Sequence, residues 1–122
     1  MRNLLIFLLL IISNNVVSQS FLHEEDYEKK TKQGIVLVEF WASFNAVNEV
    51  NLKKIYDCKK YRVDMSQDPT LMAKHGIMAV PTVVIYHNGK EIKRFLPSLM
   101  MKLDAEIKDI QEVIEELVGD KF

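Results

Sequence analysis

Two short runs of β-branched and aromatic residues constrain the fold of this chain most. Residues 35–41 read Ile-Val-Leu-Val-Glu-Phe-Trp, with Glu39 as the only charge, and residues 82–86 read Thr-Val-Val-Ile-Tyr. Runs this short and this apolar predict strands that are buried on both faces, as in a largely parallel sheet with helices on either side. A chain of 122 residues has room for one such domain.

The segments before and after the first run predict the neighbouring elements. We expect a helix over residues 21–33, because acidic residues crowd its first turn and lysines its last, which complements the helix dipole. Residues 45–55 predict a turn that leads into a short second helix. Residues 59–65 predict a second strand.

The second half of the chain carries clear start and stop signals. Asp68 as N-cap and Pro69 at the first helical position predict a helix that ends at Gly76. Asn88-Gly89 is a strong hairpin signal and predicts a tight turn into an antiparallel edge strand over residues 91–96.

Apolar residues at helical spacing between Leu103 and Leu117 predict a last helix that ends at Gly119. The order is therefore helix, strand, helix, strand, helix, strand, strand, helix, with the first two strands parallel. This order predicts an α/β fold with a central mixed sheet of about four strands, flanked by helices on both faces.

The N-terminus is a different kind of segment. Arg2 precedes a run of nine apolar residues, 4–12, which is too short to span a bilayer as a helix of roughly 20 residues. Polar residues and then small residues follow, up to Ser18. We expect a cleaved signal peptide over residues 1–18 and a single domain over residues 19–122. An uncleaved anchor is the alternative. The destination would be the periplasm, the cell exterior or the lumen of the endoplasmic reticulum.

Charge and histidine spacing argue against several classes of ligand. The formal net charge is −1 and no basic cluster occurs, so we expect neither a nucleic-acid partner nor, after signal cleavage, a membrane partner. His23, His75 and His87 lack the spacing of metal ligands, so we expect no metal. No phosphate-binding loop is present, and we expect no cofactor.

Cysteine usage excludes one mechanism outright. Cys58 is the only cysteine, so the chain cannot cycle an internal disulfide or build a cysteine-rich zinc site. A lone cysteine is most often a small buried hydrophobe. The neighbouring Lys59 and Lys60 would lower its pKa, which keeps open the alternative of a single reactive thiol.

Several segments, in order, resemble the thioredoxin family: Val36-Leu37-Val38-Glu39-Phe40-Trp41-Ala42, Val63-Asp64, Asp68-Pro69, His75-Gly76-Ile77, Val80-Pro81-Thr82 and Asn88-Gly89. The resemblance spans residues 26–117. It implies the thioredoxin fold, with a cis peptide bond before Pro81.

The chain departs from the family where the chemistry should be. The Cys-x-x-Cys positions of the family fall on Asn45 and Asn48, and asparagine offers no thiolate for disulfide exchange. Because asparagine favours helix N-caps, we expect both residues to act as caps and turn residues rather than as direct ligand contacts. The segment between Asn48 and Asp64 is also shorter than is usual for the family.

The resemblance implies further roles for two charged residues. Glu39 matches a buried acid of the family and Lys60 a basic position near it, so we expect Glu39 to be a structural remnant that pairs with Lys60 or with water. An acid that reaches solvent at the end of the strand is an equal alternative.

The resemblance also implies that an extended peptide binds by strand addition beside the Val80-Pro81 bond. The apolar surface there would comprise Trp41, Phe44, Val47, Met78, Val80 and Pro81. Core packing is the alternative for Trp41. We expect Leu99, Met100 and Met101 in the core or at the start of the last helix, with an adaptable Met-rich binding surface as the less favoured alternative.

The resulting hypothesis is a secreted, redox-inactive thioredoxin-like domain that binds an extended peptide or a protein partner, and we do not expect it to be an enzyme. The alternatives are an oxidoreductase-related protein that uses Cys58 as a single thiol, and a structural subunit of a secreted assembly.

Overall fold

The computed structural model describes residues 21–119, so the predicted signal peptide lies outside the described residues. The helices and strands, in chain order, are α1 (Glu24–Thr31), β1 (Ile35–Trp41), two 3₁₀ segments (Ser43–Asn48 and Leu52–Lys54), β2 (Lys59–Asp64), α2 (Pro69–Lys74), β3 (Thr82–His87), β4 (Lys90–Phe95) and α3 (Ile107–Gly119). Within this range no helix has the length and apolar character needed to cross a membrane.

The four strands form one mixed sheet in the order β2-β1-β3-β4. β1 pairs with β2 in parallel and with β3 antiparallel, and β4 pairs antiparallel with β3. This arrangement confirms the predicted mixed four-stranded sheet. It places β1 at the centre, where the sequence is most apolar.

Burial on both faces of β1 follows from the alternation of side chains along a strand. Val36, Val38 and Phe40 face a core that includes residues of α1 and α2. Leu37 faces a second core, to which α3 contributes Ile110, Ile114 and Leu117. The prediction of helices on both faces is therefore confirmed.

The hairpin between β3 and β4 turns at Asn88 and Gly89, as predicted. Their φ values are 52° and 86°, so both lie in the left-handed region that a two-residue type I′ turn requires. The Asn88 side chain also accepts a hydrogen bond of 2.8 Å from the Gly34 backbone N–H. This bond ties the hairpin to the residues that lead into β1.

The predicted second helix over residues 45–55 is wrong, because two 3₁₀ segments occupy this stretch. The physical reason lies at Val50, between them. Its backbone N–H donates to Glu39, and its carbonyl accepts from both Arg62 and the Leu52 N–H, so these bonds hold the chain in a non-helical path.

Two other helices begin later than predicted. Residues 21 and 22 run beside β2, where the Leu22 N–H donates to the Arg62 carbonyl, so α1 begins only at Glu24. Leu103 pairs with Pro97 in an isolated bridge, and α3 begins at Ile107.

Asp68 holds the N-cap position of α2 but makes no capping bond with its side chain. That carboxylate contacts His23 Nδ1 at 2.9 Å instead.

Candidate functional site

Three loops meet where β1 ends, and the Asn45 side chain joins them. Its Nδ2 donates to the Val80 carbonyl at 3.2 Å and to the Met101 carbonyl at 2.8 Å. Its Oδ1 accepts from Asn48 Nδ2 at 2.8 Å. Asn45 is only 8% exposed, so these bonds are largely shielded from water. We call the outer face of residues 43–48, 78–81 and 98–101 the three-loop surface.

The predicted capping role of Asn45 and Asn48 is wrong. The 3₁₀ segment Ser43–Asn48 follows Ala42 and has no side-chain cap. Two carbonyl oxygens converge on Asn45 from other loops, and a carboxamide nitrogen, with its two N–H groups, can donate to both. The two asparagines therefore hold tertiary structure together at the positions where the family carries cysteines.

The three-loop surface is apolar and carries no charge. Its exposed side chains account for five of the ten large apolar side chains that are exposed among the described residues: Phe44, Val47, Met78, Leu99 and Met100. Val47, Met78 and Leu99 are each at least 91% exposed. The three segments contain no acidic or basic residue. Exposed apolar side chains that cluster in this way commonly mark an interaction site.

The expectation that Leu99 and Met100 lie in the core or at a helix start is wrong. They sit on a turn, and Met101 adopts a φ of 60° there. Of these three residues, only Met101 packs against the core. The turn thus directs its first two apolar side chains into solvent.

Two of the six predicted surface residues are buried. Val80 is 1% exposed and Pro81 is also buried, so neither side chain contributes contact area, although the peptide bond between them is cis. The Val80 carbonyl is already engaged by Asn45. Trp41 is half-buried, with its Nε1 donating to Glu49 at 3.3 Å and its ring edge-on to Phe21 at 5.5 Å.

A groove opens beside Met78, between the residues after α2 and the end of β4. Its volume is about 390 Å³. The lining is mostly apolar and comprises Gly76, Ile77, Met78, Ala79, Thr82, Arg94, Leu96 and Pro97. Arg94 is held by Glu91 at 2.9 Å, so the groove has no unpaired charge. The groove extends the three-loop surface with a concave side.

Glu39 is fully buried, and it forms an ion pair with Arg62, whereas the resemblance implied Lys60 as its partner. Its Oε1 accepts from Arg62 Nε at 2.8 Å and its Oε2 accepts from the Val50 N–H at 2.9 Å. The parallel register explains why Glu39 pairs with Arg62, because Arg62 lies opposite Glu39 on β2 whereas Lys60 lies opposite Leu37. Lys60 Nζ donates to carbonyl oxygens of the second 3₁₀ region, Leu52 at 2.8 Å and Ile55 at 2.7 Å.

Arg62 connects the buried acid to the surface. Its Nη2 reaches the Val50 carbonyl at 2.7 Å and Glu49 at 3.0 Å. Burial raises the pKa of Glu39, while the Val50 N–H and Arg62 act in the opposite direction. The sequence offered no signal for Arg62 or Glu49, since their roles depend on the register of β2 and on the path of the loop after β1.

Cys58 lies far from the three-loop surface. It precedes β2, whereas Asn45 follows β1, and the two strands are parallel, so the residues are at opposite ends of the sheet. Burial raises the pKa of Cys58 to about 11, more than Lys60 lowers it. A thiol with a raised pKa is a poor nucleophile at neutral pH.

The histidines do not come together. In residues 21–119 no group of three or more His, Cys, Asp or Glu side chains could hold a metal ion. His75 packs against the Tyr27 ring at 4.5 Å, and its buried Nε2 has no hydrogen-bond partner within the described part of the chain.

Comparison with known proteins agrees with this architecture. No family model matches the chain. The thioredoxin of Staphylococcus epidermidis is 24% identical over 94 residues, which cover 70% of this chain and 90% of that protein. The thioredoxin of Staphylococcus aureus is 23% identical over 94 residues, which again cover 70% of this chain and 90% of that protein.

Solved structures agree as well. A point mutant of a thioredoxin from Halobacterium salinarum superimposes with a TM-score of 0.61 at 17% identity, over 80% of this chain and 88% of that one. The thioredoxin of Malassezia sympodialis superimposes with a TM-score of 0.58 at 19% identity, over 84% of this chain and 95% of that one. The chain therefore has the thioredoxin fold. It is similar to thioredoxins over most of its length, and with one cysteine it lacks the Cys-x-x-Cys motif.

Proposed function

We propose that this chain is a secreted, redox-inactive thioredoxin-like domain that binds a peptide or protein partner at the three-loop surface. The observation that carries the proposal is the uncharged cluster of exposed apolar side chains around the former cysteine positions. Secretion rests on the N-terminal segment with the features of a signal peptide.

The energetics favour a partner at this surface. Fully burying a Phe, Val or Met side chain contributes about 1.5–3 kcal/mol. Phe44, Val47 and Met78 gain little of this in the free protein, because most of their surface remains in water. A partner that covers them would recover it, less the cost of association.

Sulfur chemistry has little support at this site. The residues at the two cysteine positions are asparagines whose amides hydrogen-bond within and between loops. The one thiol lies at the other end of the sheet with a raised pKa. A binding role does not depend on either.

Two synthetic peptides of identical composition test the proposal. Both are about 20 residues long, since shorter isolated helices are marginal in water. In the helical probe, leucines recur at i, i+3, i+4 and i+7; in the strand probe, the same leucines alternate with polar residues. Trp41 is the only tryptophan and borders the site, so its fluorescence reports binding directly.

We expect at least one probe to bind the wild-type protein, and Phe44→Glu or Met78→Glu to abolish that binding. Tyr56→Glu is the matched control, because Tyr56 is exposed but precedes β2 at the opposite end of the sheet. No binding by either probe, or equal loss in the control, would contradict the proposal. Turnover of a disulfide substrate that depends on Cys58 would favour the single-thiol alternative, and a concentration-dependent mass would favour the structural subunit.

A further inference from the structure

The three-loop surface carries the two most exposed methionines of the described part of the chain. Met78 is 97% exposed and Met100 is 76% exposed, whereas Met65 reaches 36% and Met72 only 8%. Met101, the remaining methionine in this part, packs against the core. The two exposed thioethers stand on different loops, one after α2 and one after β4. Any reagent that reaches the surface therefore meets a methionine sulfur on each of two loops.

The single thiol competes poorly with these thioethers for an oxidant. Cys58 is partly buried and its pKa is raised to about 11, so very little thiolate exists at neutral pH. Peroxides oxidise cysteine through its thiolate, whereas a thioether needs no deprotonation to react. In an oxidising compartment the reactive sulfurs of this chain are therefore the exposed methionines.

Oxidation of methionine by a peroxide needs no group from the protein. The sulfur lone pair attacks one oxygen of hydrogen peroxide and the O–O bond breaks, so that a sulfoxide forms. The proton of the transferred oxygen passes to the departing hydroxide, which leaves as water. The sulfur loses two electrons and the peroxide gains them. Methionine sulfoxide is polar and chiral, and one reductase for each epimer returns it to the thioether.

A sulfoxide would change the character of the three-loop surface without disturbing the core. The surface presents apolar side chains and no charge. Covering a sulfoxide oxygen with apolar groups costs free energy, because this strong acceptor would lose its hydrogen bonds to water. Met78 also lines the mostly apolar groove of about 390 Å³, so one oxidation affects both parts of the surface.

We propose that Met78 and Met100 are oxidation sites, through which peroxides convert the three-loop surface from an apolar form that binds the partner to a polar form that releases it. The inference rests on the proposed function, because it describes the regulation of that same surface. Exposure gives the reaction its selectivity, and the sulfoxide reductases make it reversible.

Limited treatment with hydrogen peroxide, followed by peptide mass spectrometry, measures the order of oxidation. We expect Met78 and Met100 to oxidise at least about tenfold faster than the buried Met72. Circular dichroism should show an unchanged fold, because neither side chain contributes to the core. Faster oxidation of Cys58 or Met72, or loss of the fold once both sulfoxides have formed, would overturn the proposal.

The affinity of the two probe peptides before and after this treatment, measured by calorimetry, tests the switch. For each probe that binds the wild type, we expect the affinity to fall at least about tenfold on oxidation. Methionine sulfoxide reductases with a dithiol as electron donor should remove the oxygen as water and restore the affinity. This reversal uses the wild-type protein and so does not depend on the folding of any variant.

Substitution by leucine identifies the sulfurs that are responsible, because leucine and methionine have similar volumes. The double variant with Met78→Leu and Met100→Leu should keep its own untreated affinity after peroxide. Met65→Leu is the matched control and should lose as much affinity as the wild type. Unchanged wild-type affinity with both sulfoxides formed, or loss in the double variant, would overturn the switch and leave the proposed function intact. If neither probe binds the untreated protein, the proposed function fails and the switch fails with it.

Discussion

Replacing Arg62 with methionine should destabilise the protein strongly and in a pH-dependent way. The change keeps the aliphatic stem but removes three contacts: to Glu39 at 2.8 Å, to the Val50 carbonyl at 2.7 Å and to Glu49 at 3.0 Å. Glu39, which is 0% exposed, would retain only the Val50 N–H. Removing one partner of a buried ion pair costs about 3–5 kcal/mol when the other charge is left in place.

The direction of the pH dependence follows from the raised pKa of Glu39. Burial favours its protonated form, so the folded state holds a proton that the unfolded state releases at about pH 4.3. The contribution of Glu39 to the free energy of unfolding is therefore largest below that pH and falls as pH rises through the folded pKa, by at most about 1.4 kcal/mol per pH unit. Arg62 lowers this pKa, so its loss raises the pKa further and extends the fall to higher pH.

Urea unfolding followed by Trp41 fluorescence and circular dichroism measures the effect. The destabilisation by Arg62→Met should be larger at pH 8 than at pH 5, where Glu39 can take up a proton. A second Glu39→Gln change in that background should remove the difference. Arg94→Met is the matched control, because its partner Glu91 is at the surface, and it should cost at most about 1 kcal/mol at either pH. Equal destabilisation at the two pH values, or less than about 1 kcal/mol at pH 8, would show that Arg62 does not compensate a buried charge on Glu39.

Three further perturbations test other parts of the structure. Tyr27→Phe and Tyr86→Phe should each lower the free energy of unfolding by about 1–3 kcal/mol, because the two buried hydroxyls bond each other at 2.6 Å. In urea unfolding, the double variant should lose less than the sum of the two single variants. The alkylation rate of Cys58, whose pKa is about 11, should rise about tenfold for each pH unit between pH 8 and 10. An alkylation rate that levels off below about pH 9 would contradict this raised pKa. Gly89→Ala should lower the free energy of unfolding by about 1–2 kcal/mol at a φ of 86°, whereas Gly119→Ala, at a helix end with open space around it, should cost less.

The sheet could be predicted from the sequence because local pattern determines it. β-branched runs specify β1 and β3, and Asn88-Gly89 specifies the hairpin. The buried acid could be located but its partner could not, since Arg62 faces Glu39 only in the register that β2 adopts. That ion pair, through Val50, also explains why residues 45–55 form no helix.

The candidate site was predictable in position but not in detail. The family motif after β1 located Asn45 and Asn48. The two carbonyls that accept from Asn45, however, lie 35 and 56 residues away along the sequence. Local propensity suggested caps because it contains no information on such tertiary partners. The exposure of Leu99 and Met100 depends in the same way on a turn whose shape their own sequence does not reveal.

Partner binding by a protein without any thiol tests the claim that the three-loop surface works by apolar contact and not by thiol chemistry. The measurement is the affinity of the Cys58→Ala protein for the probe peptide that the wild type binds, read from Trp41 fluorescence, with and without Phe44→Glu. We predict an unchanged affinity in the cysteine-free protein and loss of binding when Phe44→Glu is added. Loss of binding with Cys58→Ala alone, or full binding in the presence of Phe44→Glu, would contradict the claim.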